Sequence, residues 1–202
     1  MRNLAILIFD DVEVLDFAGP FEVFSVCGLR SGNTKPFNVY TVAEKELIVA
    51  RNGLKIIPHY LLNNCPVPDI VLIPGGGGTH SDGTPFGSRK EMLNETLLDW
   101  IRQKNKTAEI LLSVCTGSLL LGKAGLLEGL SATTHWKAME AMKEAAPNTI
   151  LFPDKRWVDN GRIILSAGIS AGIDMSFYVI SKLLGKKEAD ETASYMQYDY
   201  WK

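Results

Sequence analysis

The chain has 202 residues, 46% of them hydrophobic and 22% charged, a composition typical of one globular domain with a sizeable core. Its formal net charge of -2 argues against a basic surface for nucleic acid, and no segment is long enough to span a membrane. The first apolar run is too short for a signal peptide, and the three cysteines form no CxxC motif or zinc-ligand cluster, so we expect a cytoplasmic protein without a metal site.

The first elements in the chain are expected to be a buried strand and an amphipathic helix. Residues 4–9 form an apolar run typical of a strand that is buried on both faces. Gly19-Pro20 favours a helix start, because proline suits the first helical position, and residues 12–16 are then expected in a loop or short turn. The apolar face of this helix is predicted to contain Phe17, Phe21, Phe24 and Cys27.

A run of glycines follows one of the next strands. Strands are predicted at residues 37–42 and 69–73, with a hairpin around Asn52-Gly53 between them. The second strand leads directly into glycines at positions 75–78, which permit unusual backbone angles and close approach of a ligand. Their N–H groups suit an anion or a developing oxyanion, although a plain loop is an equally good interpretation of the run alone.

Two further elements precede the most informative part of the chain. Residues 79–88 are expected to form a polar loop, and residues 91–103 a helix. The apolar face of that helix is predicted to contain Leu93, Leu97, Leu98 and Ile101.

The most informative stretch is AEILLSVCTGSLLL, at residues 108–121. A short apolar strand leads directly into Cys115, and a leucine-rich helical segment follows, with the small residues Ser113 and Gly117 two places on either side. This pattern is typical of the elbow between a strand and a helix that presents a nucleophile, here with sulfur in place of oxygen. Unpaired N–H groups at a helix start favour the thiolate, so we expect a reactive cysteine. The alternative is that Cys115 is a small buried packing residue.

The rest of the chain completes an alternating pattern. A short extended run at 131–135, a helix at 137–146, a second Asn-Gly hairpin around 159–161 and helices at 170–184 and 187–196 are predicted.

This alternation predicts the fold. It favours an α/β fold with a single domain over residues 1–202, built as a three-layer αβα sandwich around an open, mainly parallel, flavodoxin-like sheet. Because ligands bind at the carboxyl ends of strands in such sheets, we expect Asp16, the glycine run and Cys115 to converge on one crevice.

Five segments distributed over nearly the whole chain carry a family resemblance. They are LDFAGPFEVF at 15–24, IPGGGG at 73–78, CTGS at 115–118, ATTHW at 132–136 and SAGISAGID at 166–174. Together they resemble the ThiJ/PfpI superfamily, with the class I glutamine amidotransferase-like fold, and within it the isonitrile (isocyanide) hydratase group. The resemblance implies a homodimer that acts on a small-molecule substrate without a metal or organic cofactor.

The resemblance also implies a role for each matching position. Cys115 corresponds to the elbow nucleophile, Asp16 to the acid beside the nucleophilic sulfur, and Thr116 to the residue after the cysteine in the hydratases. Gly76 and Gly77 correspond to the loop whose backbone amides face the site. The expected reaction is attack of the thiolate on an isonitrile, protonation by the acid to a thioimidate, and addition of water to release an N-substituted formamide.

Two positions keep alternatives open. Asp16 also suits a helix cap or a solvated loop acid, although a helix start at Gly19-Pro20 argues against the cap. His135 resembles a histidine that other superfamily members place near the cysteine. It either orients the site or supports its loop by hydrogen bonding, and we favour support.

Two other functions are open from the sequence. The protease-like and glyoxalase-like branches commonly carry histidine where this chain has Thr116, which disfavours a peptidase or an enzyme acting on aldehydes or amides. Similar domains form the sensor half of AraC-type transcription regulators. A non-catalytic small-molecule sensor or a redox sensor is therefore the third hypothesis.

Overall fold

The computed structural model describes residues 1–199, and a seven-stranded sheet is the centre of this part of the chain. The strands are β1 (Arg2–Leu7), β2 (Phe37–Ala43), β3 (Ile48–Val49), β4 (Lys55–Ile56), β5 (Tyr60–Leu61), β6 (Ile70–Ile73), β7 (Gly77–Thr79), β8 (Pro85–Gly87), β9 (Ile110–Ser113), β10 (Ser131–Ala132), β11 (Ile150–Leu151), β12 (Trp157–Asp159) and β13 (Ile163–Ser166). The helices are α1 (Val14–Val26), α2 (Ser88–Glu91), α3 (Glu95–Thr107), α4 (Gly117–Lys123), α5 (Met139–Ala145), α6 (Ala171–Leu184) and α7 (Lys186–Tyr195).

The topology of the large sheet confirms the predicted α/β fold. Its strand order is β12-β13-β9-β6-β1-β2-β5; β12 pairs antiparallel with β13, and the other neighbours pair in parallel. Counted in chain order, the strands β2, β1, β6, β9 and β13 follow the flavodoxin-like order 2-1-3-4-5. The order reverses between β1 and β6, which is the position where such sheets bind ligands.

Helices cover both faces of this sheet. The helices α1, α6 and α7 contact one another and form one layer, whereas α4 contacts α2, α3 and α5 in the other. Both β6 and β9 are buried along their whole length, which explains why their sequences are apolar apart from Ser113. The expected three-layer arrangement is therefore present, with the carboxyl ends of β1, β6 and β9 along one edge.

The first helix begins earlier than the sequence predicts. It starts at Val14 rather than at Gly19-Pro20, so residues 14–16 are helical and not part of a loop. Pro20 lies inside α1, where it has no N–H to donate to the carbonyl of Asp16 four residues earlier. Burial of Pro20 and the packing of α1 on α6 compensate for that missing bond. The earlier start places Asp16 in the first helical turn.

Two other local predictions need correction. Residues 79–88 are not wholly a loop, because β7 and β8 form an antiparallel hairpin in which Gly77 pairs with Gly87. The helix predicted at 91–103 is α3, which begins at Glu95 because the Asn94 side chain caps it by accepting from the Leu97 N–H. Leu93 precedes this cap and is 67% exposed, so it is not on the apolar face.

The two hairpins predicted from Asn-Gly pairs are confirmed. The strands β3 and β4 flank Asn52-Gly53, and β12 and β13 flank Asn160-Gly161, with antiparallel pairing in both. Among residues 1–199, no helix combines the length and the apolar character needed to cross a bilayer.

Candidate active site

Cys115 lies at the turn between β9 and α4, as the elbow pattern predicts. Its φ of 56° lies in the left-handed region, which a residue with a side chain adopts only in a constrained turn. Gly117 makes this turn possible, because a Cβ there would lie 2.1 Å from the carbonyl oxygen of Ile73. Cys115 itself is only 5% exposed.

Hydrogen bonds hold the backbone of Cys115 from both sides. Its N–H donates to the carbonyl oxygens of Ser166 and Ala167, each at 3.2 Å. Its carbonyl oxygen accepts from the hydroxyls of Thr134 at 2.9 Å and Ser118 at 3.1 Å. The strained turn is thus fixed by partners from α4, from the segment after β10 and from the end of β13.

Asp16 is fully buried beneath the same turn. Its Oδ2 accepts a hydrogen bond of 3.0 Å from the N–H of Gly75, whereas its Oδ1 has no hydrogen-bond partner in the described part of the chain. The carboxyl also faces the thiol of Cys115 closely enough for each group to alter the pKa of the other. Asp16 is therefore neither a helix cap nor a solvated loop acid, which rules out both alternative interpretations of this residue.

Burial dominates the titration of this pair. It raises the pKa of Asp16 to about 7; the charge of Glu13 adds to the increase, while hydrogen bonds from Gly75 and Cys115 oppose it. Burial, followed by the charge of Asp16, raises the pKa of the Cys115 thiol to about 12. The N–H groups at the elbow lower the thiol pKa, but burial outweighs them. The two groups therefore titrate as a coupled pair in which burial disfavours both charged forms.

Ile169 is a site residue that sequence reasoning missed. Its φ of 50° is unusual for a β-branched side chain, and its backbone N–H, together with that of Thr116, donates toward the sulfur of Cys115. A signal for it existed, because Ile169 follows β13, the strand that pairs with β9. The loops after two neighbouring parallel strands meet at one edge of the sheet.

Thr116 connects the elbow to the glycine loop. Its Oγ1 accepts a hydrogen bond of 3.0 Å from the N–H of Gly76 and lies 2.8 Å from the hydroxyl of Ser88. The Ser88 hydroxyl also donates to the Gly76 carbonyl oxygen at 2.6 Å. The Gly76 amide is thus occupied within the protein, whereas Gly77 is exposed and lines the pocket. A Cβ at Gly75 would lie 2.5 Å from the Thr116 nitrogen, so this approach requires glycine.

His135 lines the same pocket but supports a neighbouring turn. Its Nδ1 accepts from the N–H of Lys137 at 3.2 Å, and its ring stacks on that of Trp136 with centroids 5.8 Å apart. Burial, followed by the charge of Lys137, lowers the pKa of His135. No hydrogen bond joins His135 to Cys115 among the residues described, and its contacts are those expected of a supporting side chain.

These residues surround one pocket of about 480 Å³. Cys115, Thr116, Ile169 and the glycine loop line it, and the buried carboxyl of Asp16 interacts with Cys115. The predicted convergence of three strand ends is therefore present in the structure. The lining also includes four charged side chains: Glu13, Arg51, Arg89 and Lys137.

The residue types of the site suit covalent chemistry by a thiol with a carboxyl group as its proton acceptor. Within residues 1–199, no three histidine, cysteine or acidic side chains are grouped as ligands for a metal ion.

Comparisons with known proteins agree with the resemblance read from the sequence. The model of the DJ-1/PfpI family matches residues 2–182. Isonitrile hydratase of Pseudomonas putida is 33% identical over 199 residues, which cover 97% of this chain and 78% of that protein. The HTH-type transcriptional regulator GbdR of Pseudomonas aeruginosa is 26% identical over 187 residues, which cover 92% of this chain but only 48% of the regulator.

A solved structure has the same architecture. The crystal structure of a ThiJ/PfpI family protein from Pseudomonas syringae matches with a TM-score of 0.83 and 26% sequence identity, covering 98% of this chain and 75% of that one. The relatives thus include an enzyme and a regulator on one fold, so the fold alone does not decide the function.

Proposed function

Because this chain belongs to the DJ-1/PfpI family, we propose that it is a cysteine-dependent enzyme that adds water to an isonitrile and releases an N-substituted formamide. The single observation that carries this proposal is the pairing of Cys115, which lines the pocket, with the buried carboxyl of Asp16. The pKa of Asp16, raised by burial to about 7, suits a group that must both accept and donate a proton near neutral pH. The similarity to an isonitrile hydratase supports the choice of substrate class.

In the first half of the proposed reaction, Asp16 moves one proton. Its carboxylate accepts the proton of the Cys115 thiol while the sulfur forms a bond to the terminal carbon of the isonitrile. The protonated carboxyl then gives this proton to the same carbon, which completes a thioimidate. The carboxyl keeps acceptor capacity for this transfer, because only the N–H of Gly75 donates to Oδ2 and Oδ1 has no hydrogen-bond partner among the described residues.

In the second half, water adds to the thioimidate. Asp16 accepts a proton from water while the water oxygen bonds to the thioimidate carbon. Asp16 then gives that proton to the thioimidate nitrogen. The carbon–sulfur bond then breaks, the hydroxyl proton passes through Asp16 to the sulfur, and the formamide leaves. The sum is one isonitrile plus one water, and Cys115 ends as the thiol with which it began.

The backbone around the sulfur supports this sequence. The N–H groups of Thr116 and Ile169 stabilise negative charge on the sulfur as the thiol loses its proton. We assign to the Thr116 hydroxyl the task of holding the glycine loop in place through Gly76 and Ser88. The exposed Gly77 amide is the member of that loop that we propose for contact with substrate.

The rival functions have weaker support from the site. His135 is bonded to its own turn rather than to Cys115, which disfavours a thiol–histidine protease or amidase. Cys115 is also only 5% exposed, which disfavours a redox sensor because oxidation targets accessible thiols. We further propose a cytoplasmic homodimer, following the family resemblance.

The test is formamide production from para-tolyl isonitrile, followed by the formyl proton signal. We expect turnover by the unaltered protein, none by Cys115→Ala, and full activity in the control Cys65→Ala, whose thiol lies outside the pocket. Substantial turnover by Cys115→Ala would refute covalent catalysis. No isonitrile turnover together with consumption of methylglyoxal would instead favour the aldehyde-processing branch.

A further inference from the structure

Two arginines face the same pocket as Cys115 without an acidic partner. Arg51 and Arg89 both line the pocket and are both half-buried. Over residues 1–199, neither guanidinium has a carboxylate within ion-pair distance or a hydrogen-bond acceptor in the protein. Glu13 lines the pocket as well but pairs with neither of them. A half-buried cation without a counter-charge loses part of its hydration, and a bound anion offsets that cost.

Arg51 is held in position without using the hydrogen-bond donors of its guanidinium. It begins the turn between β3 and β4, and its backbone N–H donates to the Val12 carbonyl oxygen at 3.0 Å. Its guanidinium lies over the ring of Phe86, 5.3 Å from the ring centroid. A cation–π contact occupies the face of the guanidinium and leaves the N–H groups on its edge available.

Arg89 is anchored through its neighbour in the chain. The N–H and hydroxyl of Ser88 both donate to the carbonyl oxygen of Gly76, at 2.9 Å and 2.6 Å. The hydroxyl also lies 2.8 Å from Oγ1 of Thr116. The start of α2 is thereby fixed to the elbow and to the glycine loop. Arg89 extends from this fixed point into the pocket lining.

Lys137 adds a third positive charge from a different element. It follows His135 in the turn after β10, and its ammonium lies 5.0 Å from the ring of Trp136. Three separate elements thus contribute cations to one pocket that already holds the reactive thiol.

From this arrangement we propose that the physiological isonitrile carries a carboxylate, which Arg51 and Arg89 bind while the isocyano carbon faces Cys115. This inference rests on the proposed hydratase function and names its substrate class. A volume of about 480 Å³ accommodates a ring-sized molecule with both groups. A singly charged carboxylate suits the site better than a doubly charged group, because Glu13 lies in the same lining.

The first test compares para-isocyanobenzoate with the neutral para-tolyl isonitrile as substrates at low ionic strength. We expect kcat/KM for the anion to exceed that for the neutral compound by about a hundredfold, as two charge-assisted contacts of about tenfold each provide. In Arg51→Met and Arg89→Met this ratio should fall about tenfold each. The matched control is Lys90→Met, which removes a neighbouring exposed charge outside the pocket and should leave the ratio unchanged. Equal values for both isonitriles, unaffected by either arginine variant, would overturn the inference and leave the hydratase function standing.

The second test measures binding, so it does not depend on turnover. The product para-formamidobenzoate should bind at least about tenfold more tightly than para-methylformanilide by calorimetry, and added salt should weaken this preference. If no isonitrile is hydrated but this preference exists and depends on Arg51 and Arg89, the hydratase function fails and the anionic ligand class survives. If the anionic compound shows no preference in binding, the inference fails whatever the enzyme does.

Discussion

Asp16 and Cys115 hold one removable proton between them near neutral pH, and their environment determines which of them carries it. Burial raises the pKa of both groups, to about 7 for the carboxyl and about 12 for the thiol. The helix-start argument from the sequence predicts the opposite resting form, with the charge on sulfur. Burial acts against that form, because desolvation raises the pKa of a cysteine that is only 5% exposed while the nearby N–H groups lower it.

This titration predicts the pH dependence of turnover. Because the carboxylate form of Asp16 must accept the thiol proton, kcat/KM should rise with pH through an inflection near 7 and then reach a plateau. In Asp16→Asn the inflection should vanish and the plateau should fall by about a hundredfold or more. A pH–rate profile of both proteins checks this, and an unchanged inflection in Asp16→Asn would assign the titration to another group.

The same titration predicts an unusual effect on stability. A carboxyl whose pKa is raised from 3.8 to about 7 on folding stabilises the folded protein below pH 4, and this contribution is lost as pH rises through about 7. Asp16→Asn keeps an acceptor for the Gly75 N–H without the charge. It should therefore raise the free energy of unfolding at pH 8 by on the order of 4 kcal/mol at most, and by nothing near pH 4.

Urea denaturation at both pH values measures this difference. Asp174→Asn serves as the matched control, because that buried carboxylate is paired with Arg156 at 2.6 Å and accepts from Tyr198 at 2.9 Å. Its loss should lower stability at pH 8. If Asp16→Asn also lowered stability at pH 8, Asp16 would have to be a stabilising ionised group, contrary to the account.

At the scale of elements, the elbow depends on the close approach of α4 to the end of β6. A Cβ at Gly117 would meet the Ile73 carbonyl oxygen at 2.1 Å and that of Pro74 at 2.8 Å. Gly117→Ala should therefore lower the free energy of unfolding by about 1–3 kcal/mol, or displace the elbow and abolish turnover. Chemical denaturation and activity measured on the same variant distinguish these two effects.

Gly125 supplies the comparison, because it lies just after α4 with φ of 76° and no atom within 4 Å of an added Cβ. Gly125→Ala should cost only about 1 kcal/mol, from the left-handed backbone, and should leave turnover intact. Equal effects of the two substitutions would show that crowding at the elbow is not what Gly117 avoids.

The elements that sequence reasoning predicted well are those with local signals. The apolar runs of β6 and β9 and the Asn-Gly hairpins are encoded by neighbouring residues, and the structure confirms them. The predicted start of α1 was wrong, because Pro20 suggested the first turn of a helix. Packing of α1 on α6 maintains the helix on both sides of this proline. The β7–β8 hairpin has no such local signal, since glycine and polar residues dominate its sequence.

The same distinction applies to the site. Cys115 and the glycine loop were predicted as parts of the site because they lie at the ends of predicted strands. The role of Asp16 was predicted from the family resemblance. Ile169 was missed because its contribution is a backbone N–H, and the identity of the side chain carries no sign of it. Arg51 and Arg89 come from separate elements, so only the folded chain shows that they share a pocket with Cys115.

At the scale of the whole molecule, the topology of the sheet predicts cooperative unfolding. The strands β1, β6, β9 and β13 are consecutive in one sheet although they are far apart in the sequence, and helices from both halves of the chain cover them. Unfolding should therefore give coincident transitions in far-ultraviolet circular dichroism and in tryptophan fluorescence. Two separated transitions would contradict the prediction of a single domain.

The expected homodimer is tested at the same scale. Sedimentation velocity at micromolar concentration should give a species of twice the 22.3 kDa chain mass. A monomer at that concentration would contradict the homodimer that the family resemblance implies.

The central claim is that Cys115 forms a bond to the isonitrile carbon and that Asp16 moves the proton this requires. The most direct measurement is the intact mass of the protein quenched within milliseconds of mixing with excess para-tolyl isonitrile, followed by peptide mapping. We predict a mass increase equal to one isonitrile, located on Cys115, absent in Cys115→Ala and formed far more slowly in Asp16→Asn. Formamide release by a protein whose Cys115 is never modified, or an adduct at another residue, would contradict the account.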